Sequence, residues 1–251
     1  MKGVNMKGNV TSAVKQGPRP YQEDRYYETY IPDRKWRLLV VMDGHGGEGV
    51  AGFCAKNIFR MIALNEGKPE HRLNSLVADL NRSTRQYTVG STFSGVIISE
   101  ELNTASVAIL GDSPVVIYDK QGRLHTSPEH NVRSNLEERK AAEERGGIYS
   151  GGYIWSDLSD LAQGLQISRA LGDAHLDGIL SREPEIYTIA EPVWVLVASD
   201  GLFDPGHSDT PRLVEEVREF AKRNATADEL MEWAEKRGLK DNATALVWCA
   251  S

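Results

Sequence analysis

Residues 38–47, LLVVMDGHGG, combine an apolar run with an aspartate and a glycine-rich turn. Residues 193–201, VWVLVASDG, repeat this pattern, with Asp200 in the place of Asp43. Each apolar run is bounded by turn residues and therefore predicts a buried strand with a carboxylate at its tip. A strand tip is rigid, so a carboxylate placed there keeps a fixed position.

A third aspartate, Asp241, precedes its apolar run, residues 243–248, whereas Asp43 and Asp200 follow theirs. If the last strand runs antiparallel to the other two, all three carboxylates lie at the same edge. Carboxylates that converge repel each other unless cations lie between them. Although an Asp-Gly turn alone is also explained by an aspartate that caps a helix, the repeated pattern favours a site for hard divalent cations.

The composition excludes several classes of protein. The chain has 251 residues, is 40% hydrophobic and carries a net charge of −7, and we expect one domain over residues 1–251. Lysine and arginine form no cluster, which argues against a nucleic-acid partner. No apolar run approaches the roughly 20 residues of a membrane span. Residues 1–8 lack an apolar stretch, so we expect no secretory signal. Cys54 and Cys249 are interpreted as small buried hydrophobic residues, which fits a reducing compartment. We therefore expect a cytoplasmic protein, with the nucleus left open.

The predicted elements come in blocks of strands and blocks of helices, which favours an α+β fold with mostly antiparallel sheets. The strands are predicted at residues 36–43, 91–99, 104–110, 115–119, 186–189, 193–199 and 243–249. The helices are predicted at residues 47–64, about 69–87, from a capping box at 134–137 to Gly146, about 210–223, and from a capping box at 226–229 to Gly238. Residues 148–168 are rich in Gly, Ser and Asp and predict a loop or flap.

Four further side chains are candidates for the same site. His45 can act as a general acid near neutral pH, or it can be a turn histidine that bonds the backbone. Glu23 and Asp24 are adjacent, so on an extended segment one can reach a metal directly and the other through water; a solvated turn is the alternative. Arg19 suits bidentate contact with phosphate oxygens, although alone it would be interpreted as a surface arginine.

Two more aspartates allow different interpretations. Asp112 lies between two predicted strands, where a hairpin turn explains it fully. Asp173, in the segment SRALGD, is similarly ambiguous.

Taken together, these motifs make the chain resemble a known family, the metal-dependent serine/threonine protein phosphatases of type 2C. The resemblance covers nearly the whole length, in the order of the family's motifs. It rests on residues 16–24 (QGPRPYQED), 41–47 (VMDGHGG), 90–92 (GST), 111–113 (GDS), 168–173 (SRALGD), 183–185 (EPE), 199–204 (SDGLFD) and 241–244 (DNAT).

The resemblance implies a central β-sandwich of two mostly antiparallel sheets flanked by α-helices, with two Mn²⁺ or Mg²⁺ ions at one end. By that analogy Asp43 bridges both ions, and Asp200 and Asp241 hold one of them. Glu23 and the backbone carbonyl of Gly44 hold the other.

The resemblance also implies the chemistry, which is hydrolysis of phosphoserine and phosphothreonine in protein substrates by a monomeric enzyme. Two ions about 3.5–4 Å apart generate a bridging hydroxide and clamp an in-line displacement at phosphorus. By analogy Asp24 orients the metal-bound water, Arg19 binds the phosphate and His45 protonates the leaving oxygen. Asp112, with Asp200, forms a weaker third metal site.

The chain departs from the family pattern at three places. Pro114 stands where the family usually has arginine, Glu129 precedes His130 in place of the usual aspartate, and the stretch before Ser168 follows the pattern loosely. Two rival functions remain open from the sequence. One is an inactive phosphatase-like domain that binds phosphoproteins or another partner, and the other is a phosphatase for small phosphoesters only.

Overall fold

The structure is a computed structural model that describes residues 8–159, 163–203 and 209–251. Its strands are β1 (Asn9–Lys15), β2 (Arg25–Ile31), β3 (Trp36–Met42), β4 (Gly44–His45), β5 (Gly90–Ser91), β6 (Phe93–Ser99), β7 (Thr104–Leu110), β8 (Val115–Asp119), β9 (Leu124–Thr126), β10 (Ile148–Ser150), β11 (Tyr153–Trp155), β12 (Leu171–Gly172), β13 (Glu185–Ala190), β14 (Pro192–Ala198) and β15 (Ala243–Cys249). Its helices are α1 (Gly49–Leu64), α2 (Pro69–Thr84), α3 (Leu136–Glu144), α4 (Thr210–Lys222) and α5 (Ala227–Arg237). None of these described helices is both long and apolar enough to cross a bilayer.

Two five-stranded sheets form the centre of the fold. The first sheet has the order β13-β7-β6-β3-β2, and the second has the order β1-β15-β14-β8-β9. Neighbouring strands in both sheets pair antiparallel. The α+β class with antiparallel sheets, predicted from the sequence, is confirmed.

Apolar side chains fill three layers. Between the sheets lie residues such as Val41 of β3 and Val197 of β14. The other face of the first sheet packs on α1 and α2, and the other face of the second sheet packs on α4 and α5. A helical face with apolar residues three and four apart suits this covering role.

The strand directions place the aspartates. Because β14 and β15 pair antiparallel, with Ala198 opposite Ala245, the end of β14 lies beside the start of β15. Asp200 follows the first of these strands and Asp241 precedes the second, so both leave the second sheet at the same edge. The last strand, β15, thus runs antiparallel to β14, as the prediction for Asp200 and Asp241 required.

A small third sheet lies beside this edge, with the order β12-β5-β4. Its strands have two residues each, and none was predicted as a separate strand, although Ser91 of β5 begins the strand predicted at residues 91–99. Gly90 in β5 faces His45 on one side and Gly172 on the other.

Some predicted boundaries need correction. The second helix ends at Thr84, short of residue 87. The helix predicted from residue 134 begins at Leu136, because the side chain of Asn135 accepts the N–H groups of Glu137 and Glu138 and so forms the cap. Within residues 148–168 the structure shows an antiparallel hairpin of β10 and β11 where a loop was expected. Residues 160–162 of that stretch lie outside the described part.

Candidate metal and phosphate centre

A cavity of about 390 Å³ lies at the edge of the two sheets where Asp43, Asp200 and Asp241 are found. Eight of the nine predicted site residues line it, namely Arg19, Glu23, Asp43, Gly44, His45, Asp112, Asp200 and Asp241. The ninth, Asp24, is buried beside it with 3% of its surface exposed. The hairpin and the segment after it contribute Tyr153 and residues 164–167 to the opposite wall.

Asp43 leaves β3 into the cavity and is fixed through its backbone. Its N–H donates to Thr92 Oγ1 at 3.0 Å, and its carbonyl accepts from the N–H of Thr92 at 2.9 Å. The hydroxyl of Thr92 also bonds Ser113 Oγ at 2.7 Å. Burial, followed by repulsion from Asp24 and the other nearby carboxylates, raises the pKa of Asp43 well above its ordinary value.

Asp24 joins the two sheets beneath the cavity. Its Oδ2 accepts from Ser199 Oγ, after β14, and from Thr244 Oγ1, within β15, at 2.8 Å each. Burial raises the pKa of Asp24 to about 6, although these two hydrogen bonds lower it, and repulsion from Asp200 and Asp241 adds to the increase. Its Oδ1 is buried and has no hydrogen-bond partner among the described residues.

Arg19 is paired with one of the predicted metal ligands. Its Nη2 donates to Asp241 Oδ2 at 2.5 Å, and half of the arginine side chain is exposed. The guanidinium therefore lies in the cavity and partly offsets its negative charge.

Asn242 makes contacts at the site that the sequence did not reveal. Its Oδ1 accepts from the N–H of Glu23 at 2.8 Å, and its Nδ2 donates to the carbonyls of Gln16 and Tyr21 at 2.8 and 3.0 Å. It thus ties the segment that carries Arg19 and Glu23 to the start of β15. The only hint in the sequence was that Asn242 directly follows Asp241, and the sequence analysis gave Asn242 no role.

The hairpin interpretation of Asp112 is wrong. The residue lies between β7 and β8, which belong to different sheets, so the chain crosses from one sheet to the other there. Asn131 Nδ2 donates to Asp112 Oδ2 at 2.8 Å and holds the carboxylate, which is 7% exposed. The neighbouring Glu129 accepts a hydrogen bond from Ser134 Oγ at 2.9 Å, before α3.

Among the described residues the ring of His45 bonds a side chain and no backbone group, contrary to the turn-histidine alternative. Its Nε2 lies 2.8 Å from Asp173 Oδ2, and that carboxylate is buried. Asp173 is the second residue whose role the sequence left ambiguous.

The donor set fits hard divalent cations in its chemistry. Carboxylate oxygens and a backbone carbonyl are the ligands that Mg²⁺ and Mn²⁺ take. Asp24 Oδ1 has no hydrogen-bond partner among the described residues, and burial and neighbouring carboxylates raise the pKa of Asp43, so a cation would be stabilised beside both. As they stand, no three His, Cys, Asp or Glu side chains within residues 8–159, 163–203 and 209–251 are grouped closely enough to hold one ion.

Comparisons with known proteins identify the family of the chain. The family profile described as protein phosphatase 2C matches residues 24–243. The chain is 29% identical over 248 residues to the probable protein phosphatase 2C 11 of Arabidopsis thaliana, covering 92% of this chain and 64% of that protein. It therefore spans less than two thirds of that relative's length.

Solved structures share the fold. The serine-threonine phosphatase 2C of Toxoplasma gondii superposes with a TM-score of 0.76 at 17% identity, covering 97% of this chain and 95% of that one. The catalytic domain of the serine/threonine protein phosphatase PstP, in complex with two manganese ions, superposes with a TM-score of 0.63 at 20% identity, covering 96% of this chain and 97% of that one.

Proposed function

The chain belongs to the protein phosphatase 2C family, and we propose that it is a metal-dependent phosphatase that hydrolyses phosphoserine and phosphothreonine in proteins. The observation that carries the proposal is the shared cavity, in which an arginine lies among five carboxylates that come from both sheets. These carboxylates are Glu23, Asp43, Asp112, Asp200 and Asp241.

The cavity offers oxygen ligands for two Mn²⁺ or Mg²⁺ ions. Asp43 would bridge them, Asp200 and Asp241 would hold one, and Glu23 with the Gly44 carbonyl would hold the other. Asp112 would contribute to a weaker third site with Asp200. When bound, such ions supply a nucleophilic water at neutral pH and offset the charge of the phosphate.

The chain's own side chains supply the remaining chemistry. Arg19 binds two phosphate oxygens through its planar guanidinium, and Asp24, beneath the cavity, orients the attacking water. As the water oxygen bonds to phosphorus, the bond from phosphorus to the serine or threonine oxygen breaks in line. His45 then protonates that leaving oxygen and the attacking water releases one proton to solvent, so the products are inorganic phosphate and a free hydroxyl.

A binding domain without turnover is the second candidate. It is favoured by one observation, the ion pair that Arg19 makes with Asp241, one of the assigned metal ligands. A phosphatase of small phosphoesters differs from both candidates because it would have no preference for a peptide.

Phosphate release by the folded protein separates these functions. We expect release from a phosphothreonine peptide with Mn²⁺ or Mg²⁺ and none in excess EDTA, with the peptide preferred over an aryl phosphate. Equal turnover of the two substrates would contradict the protein-substrate claim. Binding of the phosphopeptide without release under either metal would establish the binding domain instead.

A further inference from the structure

The ring of His45 is held by a buried carboxylate that the reaction scheme above does not use. Nε2 of His45 lies 2.8 Å from Oδ2 of Asp173. The side chain of Asp173 is 1% exposed, whereas that of His45 is 26% exposed and lines the cavity. The carboxylate is therefore inside the protein, and the imidazole lies between it and the place where a substrate would bind.

The small third sheet positions His45 and Asp173 next to each other. His45 ends β4, Asp173 directly follows β12, and Gly90 of β5 lies between them. A Cβ atom on Gly90 would lie 1.9 Å from Asp173 Oδ2 and 2.3 Å from His45 Nε2. Since atoms cannot approach so closely, only glycine at this position leaves room for the hydrogen bond.

The backbone of Asp173 is held in an unusual conformation to make the contact. Its φ of 51° lies in the left-handed region, which non-glycine residues adopt rarely, although Asp and Asn are enriched there. Its N–H donates to the carbonyl of Val89 at 3.1 Å, and its carbonyl accepts from the N–H of Leu176 at 2.9 Å. Backbone of this kind persists where the surrounding structure fixes it, and it clusters at functional sites.

In this contact the carboxylate of Asp173 is the acceptor when Nε2 carries the hydrogen. The other ring nitrogen, Nδ1, is then the one available to a substrate. In other enzymes a buried aspartate that bonds one ring nitrogen fixes the orientation of a catalytic histidine and the ring nitrogen that carries its hydrogen.

We propose that Asp173 is a positioning residue that holds the imidazole of His45, across Gly90, with Nδ1 directed at the leaving oxygen of the substrate. The inference rests on the proposed function. In the step concerned, the bond between phosphorus and the serine or threonine oxygen breaks, and that oxygen takes the Nδ1 hydrogen of protonated His45. The ring keeps its Nε2 hydrogen on Asp173.

Asp173→Asn tests the role with little change of shape, because asparagine has the same size and tolerates a left-handed backbone. A poor leaving group needs a proton, whereas an aryl oxide leaves without one. We therefore expect turnover of a phosphothreonine peptide to fall by about 10- to 100-fold, within the range of general-acid effects, and turnover of an aryl phosphate to change by less than about 3-fold. In a His45→Ala background the same substitution should cause no further loss, because residues that act as a unit are not additive.

Gly90→Ala tests the geometry independently. The added methyl group should separate His45 from Asp173 and give the same selective loss on the phosphopeptide. Gly52→Ala, within α1, is the matched control, since a Cβ there would meet nothing within 4 Å. We expect this control to keep the wild-type ratio of the two substrates.

A readout without turnover comes from nitrogen NMR of the metal-free protein. Long-range ¹⁵N–¹H correlations should place the hydrogen of neutral His45 on Nε2 in the wild type, and this preference should weaken in Asp173→Asn. A hydrogen on Nδ1 in the wild type would overturn the inference. So would an equal loss on both substrates in a folded Asp173→Asn variant.

Failure of the proposed function would look different. A wild-type protein that hydrolyses neither substrate with Mn²⁺ would refute the phosphatase assignment, and the role of Asp173 in it. A wild type that hydrolyses both, together with an Asp173→Asn variant that keeps the wild-type ratio, would refute the role of Asp173 alone.

Discussion

At the scale of single residues, the site is a set of carboxylates that line one cavity. Burial and mutual repulsion raise the pKa of Asp43 and of Asp24. A carboxyl group whose pKa is raised by folding stabilises the folded state only while it is protonated. This contribution is complete below the unfolded pKa and is lost as the pH rises through the folded pKa.

For Asp24 the two values are 3.8 and about 6. We therefore expect the free energy of unfolding of the metal-free protein to lose the Asp24 contribution as the pH rises from about 4 to about 7. The loss is at most roughly 3 kcal/mol for a shift of this size. Urea unfolding in EDTA at several pH values measures it.

Asp24→Asn is the control for that prediction, because the amide oxygen can still accept from Ser199 and Thr244 but does not titrate. The stability of the variant relative to the wild type should increase between pH 4 and 7. Parallel pH profiles of the two proteins would contradict a raised pKa at Asp24.

Arg19 has two possible partners, Asp241 and a phosphate. Removing the guanidinium in Arg19→Ala should tighten Mn²⁺ binding by roughly two- to five-fold, as expected from loss of a partly exposed competing ion pair. The same change should raise the KM for a phosphopeptide.

Calorimetric Mn²⁺ titration and steady-state kinetics measure the two effects of Arg19→Ala. Arg82→Ala, which removes an exposed arginine paired with Asp79 on α2, should leave both quantities unchanged. Weaker Mn²⁺ binding in Arg19→Ala would show that the arginine supports the metal ligands instead of competing for them.

At the scale of elements, the long central strands and the edge strand β13 could be predicted from the sequence, whereas the edge strands β1, β2 and β9 could not. The final strand has the predicted bounds, Ala243–Cys249, because it is buried on both faces and forms one apolar run. Strands β1 and β2 lie at sheet edges and are largely half-buried or exposed, so they lack such a run. The two-residue strands of the small third sheet are too short to show any periodicity.

The candidate site shows the same division. Asp43, Asp200 and Asp241 could be placed together because each adjoins a central strand whose direction fixes its position. Asp112 could not be placed from its turn, since a hairpin and a crossing between sheets begin with the same residue types. Asp173 and Asn242 act on residues distant in sequence, and no local pattern reports such a contact.

Asn242 ties the loop of residues 16–23 to the start of β15. Its substitution should therefore weaken metal binding. Asn242→Ala removes three hydrogen bonds to residues 16–23, so Arg19 and Glu23 lose their fixed positions. We expect Mn²⁺ affinity to fall by about 10- to 100-fold, as is usual for residues that orient metal ligands. Calorimetric titration checks this result.

The control for Asn242→Ala is a substitution that destabilises an element far from the cavity. Thr226→Ala removes the capping box of α5, at a cost of about 1 kcal/mol. It should leave Mn²⁺ affinity unchanged. A similar loss of affinity in both variants would mean that general destabilisation, and not the loop contact, controls binding.

At the scale of the whole molecule, the cavity lies where the two sheets of the sandwich meet. Asp43 follows a strand of the first sheet, and Asp200 and Asp241 adjoin strands of the second. Ions shared among them would link the sheets, and a ligand that binds only the folded state stabilises it. Mn²⁺ at about 100 times its Kd should therefore add roughly 3 kcal/mol to the free energy of unfolding.

Thermal or urea unfolding with and without Mn²⁺ measures this linkage. Asp43→Asn, which removes the carboxylate assigned to both ions, should lose most of the stabilisation. If Mn²⁺ stabilised the variant as much as the wild type, the ions would bind elsewhere on the protein.

The central claim is that this cavity is a metal-dependent phosphatase centre built around Asp43. The most direct measurement compares phosphate release from a phosphothreonine peptide by wild-type protein and by Asp43→Asn, in saturating Mn²⁺, with circular dichroism to show that both are folded. We predict metal-dependent release by the wild type and a loss of several orders of magnitude in the variant. Near-normal release by a folded Asp43→Asn protein would contradict the account.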